Sequence, residues 1–172
     1  MRNKTRVTAM NESFENIIPM LRRFAYSLTG SNTDADDLVQ ATFEKILTKG
    51  LPDDVEILKW AFKVCRNVWI DEYRSRKVRQ NATQAPELQE QAAVEQQTQH
   101  ESQALLTQVN SAMHTLPHDQ RSILSLVALQ GMAYKDVAAI LEIPIGTVMS
   151  RLSRARNSLL NLVRPTELEG NA

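Results

Sequence analysis

Apolar residues return every three or four positions along most of this chain, which restricts it to helical folds. Between residues 11 and 29, for example, Ile17, Leu21, Phe24 and Leu28 keep this interval, and an amphipathic helix buries such a stripe. Glycine and proline are scarce, with 5 and 6 copies among 172 residues, which disfavours a turn-rich β-sandwich. We therefore predict an all-α fold, with helices over residues 11–29, 33–47, 55–79, 105–115, 119–130, 134–141 and 145–163.

Residues 80–103 interrupt the helical pattern. They contain eight glutamines, four glutamates and no lysine or arginine. Such a segment has too little apolar surface to pack by itself and is typical of a linker. The sequence therefore predicts two small helical domains, residues 1–79 and 104–172, joined by a flexible polar linker.

The first two helices carry recognisable signals at their ends and along one face. Pro19 is expected to kink or restart the first helix. The second helix is expected to begin with Thr33 as its cap and with Asp36 three residues later. Its apolar face is predicted to contain Leu38, Val39, Phe43, Ile46 and Leu47.

A net charge of zero hides a strong segregation of charge along the chain. Residues 57–79 sum to +5 and residues 121–164 to +4, whereas residues 31–56 and 80–120 each sum to −5. Two basic blocks between acidic ones predict two contact points for a polyanion, with the acidic parts facing another partner.

The C-terminal domain contains a helix-turn-helix pattern. A short helix over residues 134–141 and a longer basic helix over residues 145–163 are joined by the tripeptide EIP. The longer helix places an apolar stripe on one side, formed by Val148, Leu152, Ala155 and Leu159. Its opposite side presents hydroxyl and guanidinium groups from Thr147, Ser150, Arg151 and Arg154. This division predicts a recognition helix that enters the major groove of DNA.

The third helix combines aromatic rings with cations in the string WAFKVCRNVWIDEYRSRKVR, residues 60–79. Duplex DNA gains little from flat rings, whereas the bases of an opened strand stack on them. Trp60, Phe62 and Trp69 also suit the core of the domain. The crowded cations at its end, from Arg74 to Arg79, favour an anionic partner.

Four strings in order resemble the extracytoplasmic-function sigma factors of bacterial RNA polymerase, over nearly the whole chain. They are DADDLVQATFEKIL, WAFKVCRNVWIDEYRSRKVR, LPHDQRSILSLVALQGMAYKDVAAIL and IPIGTVMSRLSRARNSL. The resemblance implies a two-domain factor that joins core RNA polymerase, recognises the −35 and −10 elements of promoter DNA and helps to melt it. It further implies a polar linker that threads the polymerase, and an anti-sigma factor as a regulatory partner.

The resemblance also implies roles for particular residues. Core polymerase is expected to contact Asp36, Asp37 and Gln40. The −10 element is expected to contact Asn67, Asp71, Tyr73, Arg74, Arg76 and Lys77, with a pocket for a flipped base at the loop TKGLPDD, residues 48–54. The −35 element is expected to contact Thr147, Ser150, Arg151 and Arg154.

Two positions depart from the family pattern. Glu142 occupies the turn where the family often has glycine, and a left-handed conformation there would cost roughly 1 to 2 kcal/mol, so we expect a looser turn. Trp69 replaces a smaller apolar residue. It either fills additional core or adds a ring near DNA.

Other functions are weighed against this interpretation. Without a phosphate-binding loop or a nucleophile motif, we expect no enzyme and no cofactor. We expect no metal site at His100, His114, His118 and Cys65, because Pro117 separates two of the histidines and the cysteine is remote. The single cysteine and the lack of a long apolar run indicate a cytoplasmic protein without membrane insertion.

The alternative function is a helix-turn-helix regulator whose N-terminal bundle dimerises or senses a ligand. Such a regulator would bind an operator duplex alone, and a protein-interaction module would show no salt-dependent DNA binding in any setting.

Overall fold

The computed structural model describes residues 2–52, 55–83 and 100–163, with side chains for residues 15–52, 55–73, 75–76 and 104–163. Every regular element in these ranges is a helix, which confirms the all-α fold class. The elements are α1 (Arg2–Thr29), α2 (Asn32–Lys49), α3 (Ile57–Thr83), α4 (His100–Thr115), α5 (His118–Leu124), α6 (Tyr134–Leu141) and α7 (Ile145–Val163). The end of α5 continues as a π-helical segment, Ser125–Leu129. The greater part of the predicted linker, residues 84–99, lies outside the described residues.

Helices α1, α2 and α3 form the N-terminal domain around a shared apolar core. The rings of Phe24 and Phe62 meet edge to face, with centroids 5.1 Å apart, a favoured aromatic geometry. Cys65 is fully buried in the same core, and burial raises the pKa of its thiol to about 12. Its thiol is therefore a packing group and not a reactive one.

Two sequence expectations for this domain are wrong in part. Pro19 does not restart the first helix, since α1 runs through it without interruption. The cap of α2 is Ser31, whose hydroxyl accepts a hydrogen bond from the backbone N–H of Asp34 at 3.3 Å; Thr33 lies inside the helix.

The buried face of α2 is also rotated from the predicted one. Leu47 is 66% exposed, while Ala35 and Thr42 join Leu38 and Ile46 in the core. The hydroxyl of Thr42 donates to the carbonyl of Leu38 at 2.6 Å, which satisfies a polar group that periodicity alone would place outside.

The helix-turn-helix of the C-terminal domain follows its predicted boundaries. Val148, Leu152 and Ala155 of α7 are buried as one stripe, packed near Val137 and Ile140 of α6. Glu142 adopts the left-handed conformation with φ 56°. The expected loosening of the turn does not occur, because the backbone N–H groups of Glu142 and Ile143 both donate to the carbonyl of Ala138, as in a Schellman-type helix end.

The two domains pack against each other, and their buried residues form one continuous core. Arg121 of α5 joins them. Its side chain is buried, and its guanidinium donates to the carbonyl of Leu28 in the last turn of α1 at 2.8 Å and to Leu116 at 3.2 Å, as well as to the carbonyl of His114. Because the last carbonyls of a helix have no partner within it, this arginine completes the end of α1.

Trp69 belongs to this interface between the domains. It is 7% exposed, its ring lies edge to face with His118 at 4.8 Å, and the guanidinium carbon of Arg121 lies 5.6 Å from its centroid. Nearby, the hydroxyls of Ser27 and Ser125 are hydrogen-bonded at 2.7 Å. The large ring at position 69 therefore fills core between the domains.

We predict that replacing Arg121 with Met destabilises the chain. The change leaves buried carbonyls of α1 and α4 without their charged donor, so the free energy of unfolding should fall by about 2 to 3 kcal/mol. Urea unfolding followed by circular dichroism measures this free energy of unfolding. Arg156, exposed on α7, supplies the matched Arg156→Met control; an equal and small effect of both changes would contradict the assigned role of Arg121.

We also predict that acid weakens the fold through His114. This imidazole lies against Gly30, where any Cβ would meet its Nε2 at 1.9 Å, and its Nδ1 is 3.3 Å from an Arg121 nitrogen. Burial, and then the charge of Arg121, lower the pKa of His114 from 6.5. The unfolded chain therefore binds the proton first, so stability is full above about pH 6.5 and declines below it.

The measurement is urea unfolding at a series of pH values. His114→Gln should flatten the decline relative to the parent chain. An unchanged pH profile in that variant would show that another group is responsible.

Candidate nucleic-acid interface

The face of α7 opposite its buried stripe carries the four residues predicted to read the −35 element. Ser150 and Arg154 are exposed and Thr147 is partly exposed. The hydroxyl of Ser150 donates to the carbonyl of Thr147 at 3.1 Å. Arg151 is partly exposed, and its guanidinium binds Asp119 at 2.6 Å.

Four of the six residues predicted for the −10 element have described side chains, all of them on the solvent side of α3. Asn67 and Asp71 are exposed, and Asp71 lies 3.6 Å from the ammonium of Lys45. Arg76 pairs with Glu72 one turn earlier at 2.8 Å.

Tyr73 is 41% exposed, and its ring lies 3.9 Å from that of His118. The α3 backbone includes Arg74 and Lys77, whose side chains lie outside the described ones.

A cavity of about 500 Å³ opens beside Asn67, between the end of α2 and the middle of α3. Its lining combines cations, a ring and polar groups: Lys45, Lys49, Trp60, Val64, Arg66, Asn67, Ile70, Asp71 and Asp119. Lys49 lies in the loop predicted to hold a flipped base, of which Asp53 and Asp54 are outside the described residues. Sequence reasoning missed Lys45 and Arg66, since only the crossing of α2 and α3 brings them to one wall.

Asp119 is a third residue that sequence reasoning did not assign to the site. One of its carboxylate oxygens accepts from Arg66 of α3 and the other from Arg151 of α7, each at 2.6 Å. Arg66 lies 53 positions before Asp119, and Arg151 lies 32 positions after it. No local sequence pattern could therefore have shown that the three residues meet. Their contact brings the two predicted DNA-reading helices to one carboxylate.

The residues predicted to bind polymerase share an exposed face of α2. Asp36, Asp37 and Gln40 are all exposed. Both oxygens of Asp36 accept from Arg22 of α1, at 2.6 and 3.0 Å, which holds the carboxylate in a fixed orientation. The exposed Leu47 adds an apolar group farther along the same helix. Acidic and apolar groups together are what a mixed protein interface requires.

Within the described ranges, no three histidine, cysteine, aspartate or glutamate side chains gather as a metal site. None of the described helices is long and apolar enough to span a membrane.

Comparison with known proteins finds two family domains on the chain. Residues 14–79 match the family Sigma-70 region 2, and residues 106–159 match Sigma-70, region 4. The two matches fall on the N-terminal and C-terminal halves described above.

Whole-chain relatives agree with these matches. The ECF RNA polymerase sigma factor EcfG of Rhodopseudomonas palustris is 35% identical over 151 residues, covering 85% of this chain and 80% of the relative. The ECF RNA polymerase sigma factor SigC of Mycobacterium tuberculosis is 30% identical over 138 residues, covering 79% and 74%. A solved structure of the sigma factor RpoE from Bartonella quintana, in complex with the anti-sigma factor NepR, superposes with a TM-score of 0.78 at 30% identity, covering 92% of this chain and 99% of that one. With two helical domains, a helix-turn-helix and relatives of this extent, the chain belongs to the extracytoplasmic-function RNA polymerase sigma factors, which are alternative sigma factors of transcription initiation.

Proposed function

We propose that this chain directs core RNA polymerase to promoters by reading a −35 element with α7 and an opened −10 element with α3, while α2 binds the polymerase. It acts in the cytoplasm as a recognition factor and catalyses no reaction itself. The observation that carries the proposal is the presence of three separate faces: a hydroxyl and arginine face on α7, a ring and cation face on α3, and an acidic face on α2. The domains in this proposal are residues 1–79 and 104–172, with residues 80–103 as the linker through the polymerase.

Recognition of the −35 element belongs to Thr147, Ser150, Arg151 and Arg154. Their side of α7 is opposite the stripe that anchors the helix in its domain, so the helix can enter a major groove without losing its packing. Arginine at these positions supplies the fork of donors that suits guanine edges and phosphates.

Recognition of the −10 element belongs to Asn67, Asp71, Tyr73, Arg74, Arg76 and Lys77. The cavity beside Asn67 offers a place for a base that has left the stack. Trp60 supplies an aromatic wall there, with the Lys63 ammonium 5.4 Å from its ring centroid. Rings and cations are the combination that single-stranded DNA binds. Because an unstacked base is captured, the same contacts favour strand opening.

Partner proteins are assigned to the acidic face. Asp36, Asp37 and Gln40 bind core polymerase, whose docking surface must then be basic or polar. The Bartonella relative was solved with an anti-sigma factor, and we extend this kind of partner to the present chain. Regulation of this kind would act by covering the faces that polymerase and DNA use.

The alternative, a helix-turn-helix regulator with a dimerising N-terminal bundle, explains only the C-terminal domain. Residues 14–79 match Sigma-70 region 2. A dimerising bundle also does not require an acidic helix that is followed directly by a helix rich in aromatic and basic side chains. These observations favour the sigma-factor function.

We predict that Arg154→Ala lowers −35-dependent transcription about tenfold, the effect of losing one good base or phosphate contact in a groove. The measurement is in vitro transcription with purified core polymerase on a promoter with an intact or scrambled −35 element. Arg156→Ala removes the same charge from another side of α7 and should leave activity nearly unchanged. Equal losses for both variants would contradict the assignment of Arg154.

We predict that Asp37→Ala weakens assembly with core polymerase about three- to tenfold, as expected for one charged contact at a protein interface. Fluorescence titration of labelled chain with core polymerase gives the dissociation constant, and higher salt should reduce the difference between parent and variant. Glu15→Ala, on the exposed side of α1, is the control. If Asp37→Ala bound as tightly as the parent, polymerase docking would have to lie on another face.

A further inference from the structure

Asp119 holds one guanidinium from each of the two DNA-reading helices. Its Oδ1 accepts from Arg66 and its Oδ2 from Arg151, both at 2.6 Å. The Arg66 side chain is 16% exposed and that of Arg151 is 32% exposed, so both are largely withdrawn from solvent. The guanidinium of Arg151 is thereby engaged by a group of the same chain.

A carboxylate used in this way has the same chemistry as a DNA phosphate. A phosphodiester also carries one negative charge and presents two outer oxygens, and the planar donors of arginine bind either group. The two guanidinium groups that share the carboxylate of Asp119 therefore already make the kind of hydrogen-bonded ion pair that a phosphate of promoter DNA would offer them.

The contact is part of a longer match of opposite charges between the domains. Lys59, Lys63 and Arg66 follow one another at helical spacing along α3. Lys59 pairs with Glu56 of its own domain at 2.7 Å and with Asp136 at 3.0 Å. Lys63 pairs with Glu142, and Arg66 pairs with Asp119. Each of the three cations of this basic stripe therefore has one acidic partner from the C-terminal domain.

The aromatic part of α3 continues this contact. Trp69 and Tyr73 follow the basic stripe and both rings lie against His118. The residue proposed to touch an opened strand, Tyr73, is thus partly covered by the other domain. Apolar packing at Trp69 holds the domains together without DNA, while the partly exposed ion pairs are weakened by salt and open to displacement by a polyanion.

We propose that Asp119 is an internal substitute for a DNA phosphate, which keeps the chain closed over its own promoter-reading surfaces until promoter DNA on core polymerase displaces it. This inference rests on the proposed function of α3 and α7. It adds a self-inhibiting contact within the sigma factor that needs no second protein.

The first experiment measures closure with neither DNA nor polymerase present. Spin labels at Thr48→Cys and Ser153→Cys, exposed on α2 and α7, report the distance between the domains by pulsed electron resonance; the buried thiol of Cys65 stays unlabelled. The parent chain should give one short distance in low salt. Asp119→Asn, which keeps the shape and removes the charge, should add a second, longer population.

Two variants control for other causes. Asp119→Glu retains the charge and should restore most of the closed population. Glu15→Gln makes the same change of net charge at an exposed position of α1 and should resemble the parent. A single short distance in Asp119→Asn, or an equal opening in Glu15→Gln, would overturn the proposal.

The second experiment measures competition with DNA. In the absence of polymerase, Asp119→Asn should bind a promoter duplex about five- to tenfold more tightly than the parent in low salt, whereas Glu15→Gln should change affinity less than about twofold. An equal gain of affinity in both variants would show that only net charge matters, and it would refute the role of Asp119 as a substitute for phosphate.

Transcription by the parent chain with core polymerase tests the proposed function separately. If the parent chain transcribes from its promoter while the Asp119→Asn chain stays closed, this inference alone is refuted.

Discussion

A buried arginine lies at the centre of the contact that joins two helical domains into one folded body. The guanidinium of Arg121 donates to carbonyls at the end of α1 and around the end of α4, and it lies near the face of Trp69. A buried cation is costly unless its donors are satisfied, so these carbonyls must stay in place for the C-terminal domain to pack. The contact fixes how α5 sits against α1, and with it the position of His118 and Asp119 over α3.

That position determines which surfaces the chain shows to its partners. The acidic face of α2 remains exposed, together with most of the reading face of α7. The basic stripe of α3 does not, since Lys59, Lys63 and Arg66 each meet an acid of the C-terminal domain. A chain with no net charge can therefore carry strongly basic helices, because its own acids pair with cations of one of them. In the proposed function, access to promoter DNA depends on the relative position of the domains as much as on the residues of α3 and α7.

The faces of single helices could be predicted from the sequence, because the residues of such a face lie within a few turns of one another. The division of α7 into a buried stripe and a reading face follows from the spacing of Val148, Leu152 and Ala155 alone. The acids of α2 were noted from the segregation of charge and assigned through the family resemblance, and the structure leaves Asp36 and Asp37 exposed. The predicted buried face of α2 was wrong where a hydrogen bond overrides the apolar periodicity. Thr42 is buried because its hydroxyl donates to a backbone carbonyl inside the domain, and Leu47 is exposed to solvent.

The sequence by itself determined the helices, their apolar stripes and the segregation of charge, since each depends on residues within a few turns of one another. It also carried the family, through four strings in a fixed order. Only the tertiary structure decided that Trp69 fills the contact between domains and that Asp119 meets Arg66 and Arg151. Those contacts join residues far apart in the chain, and their geometry depends on how whole helices pack, which no local pattern encodes.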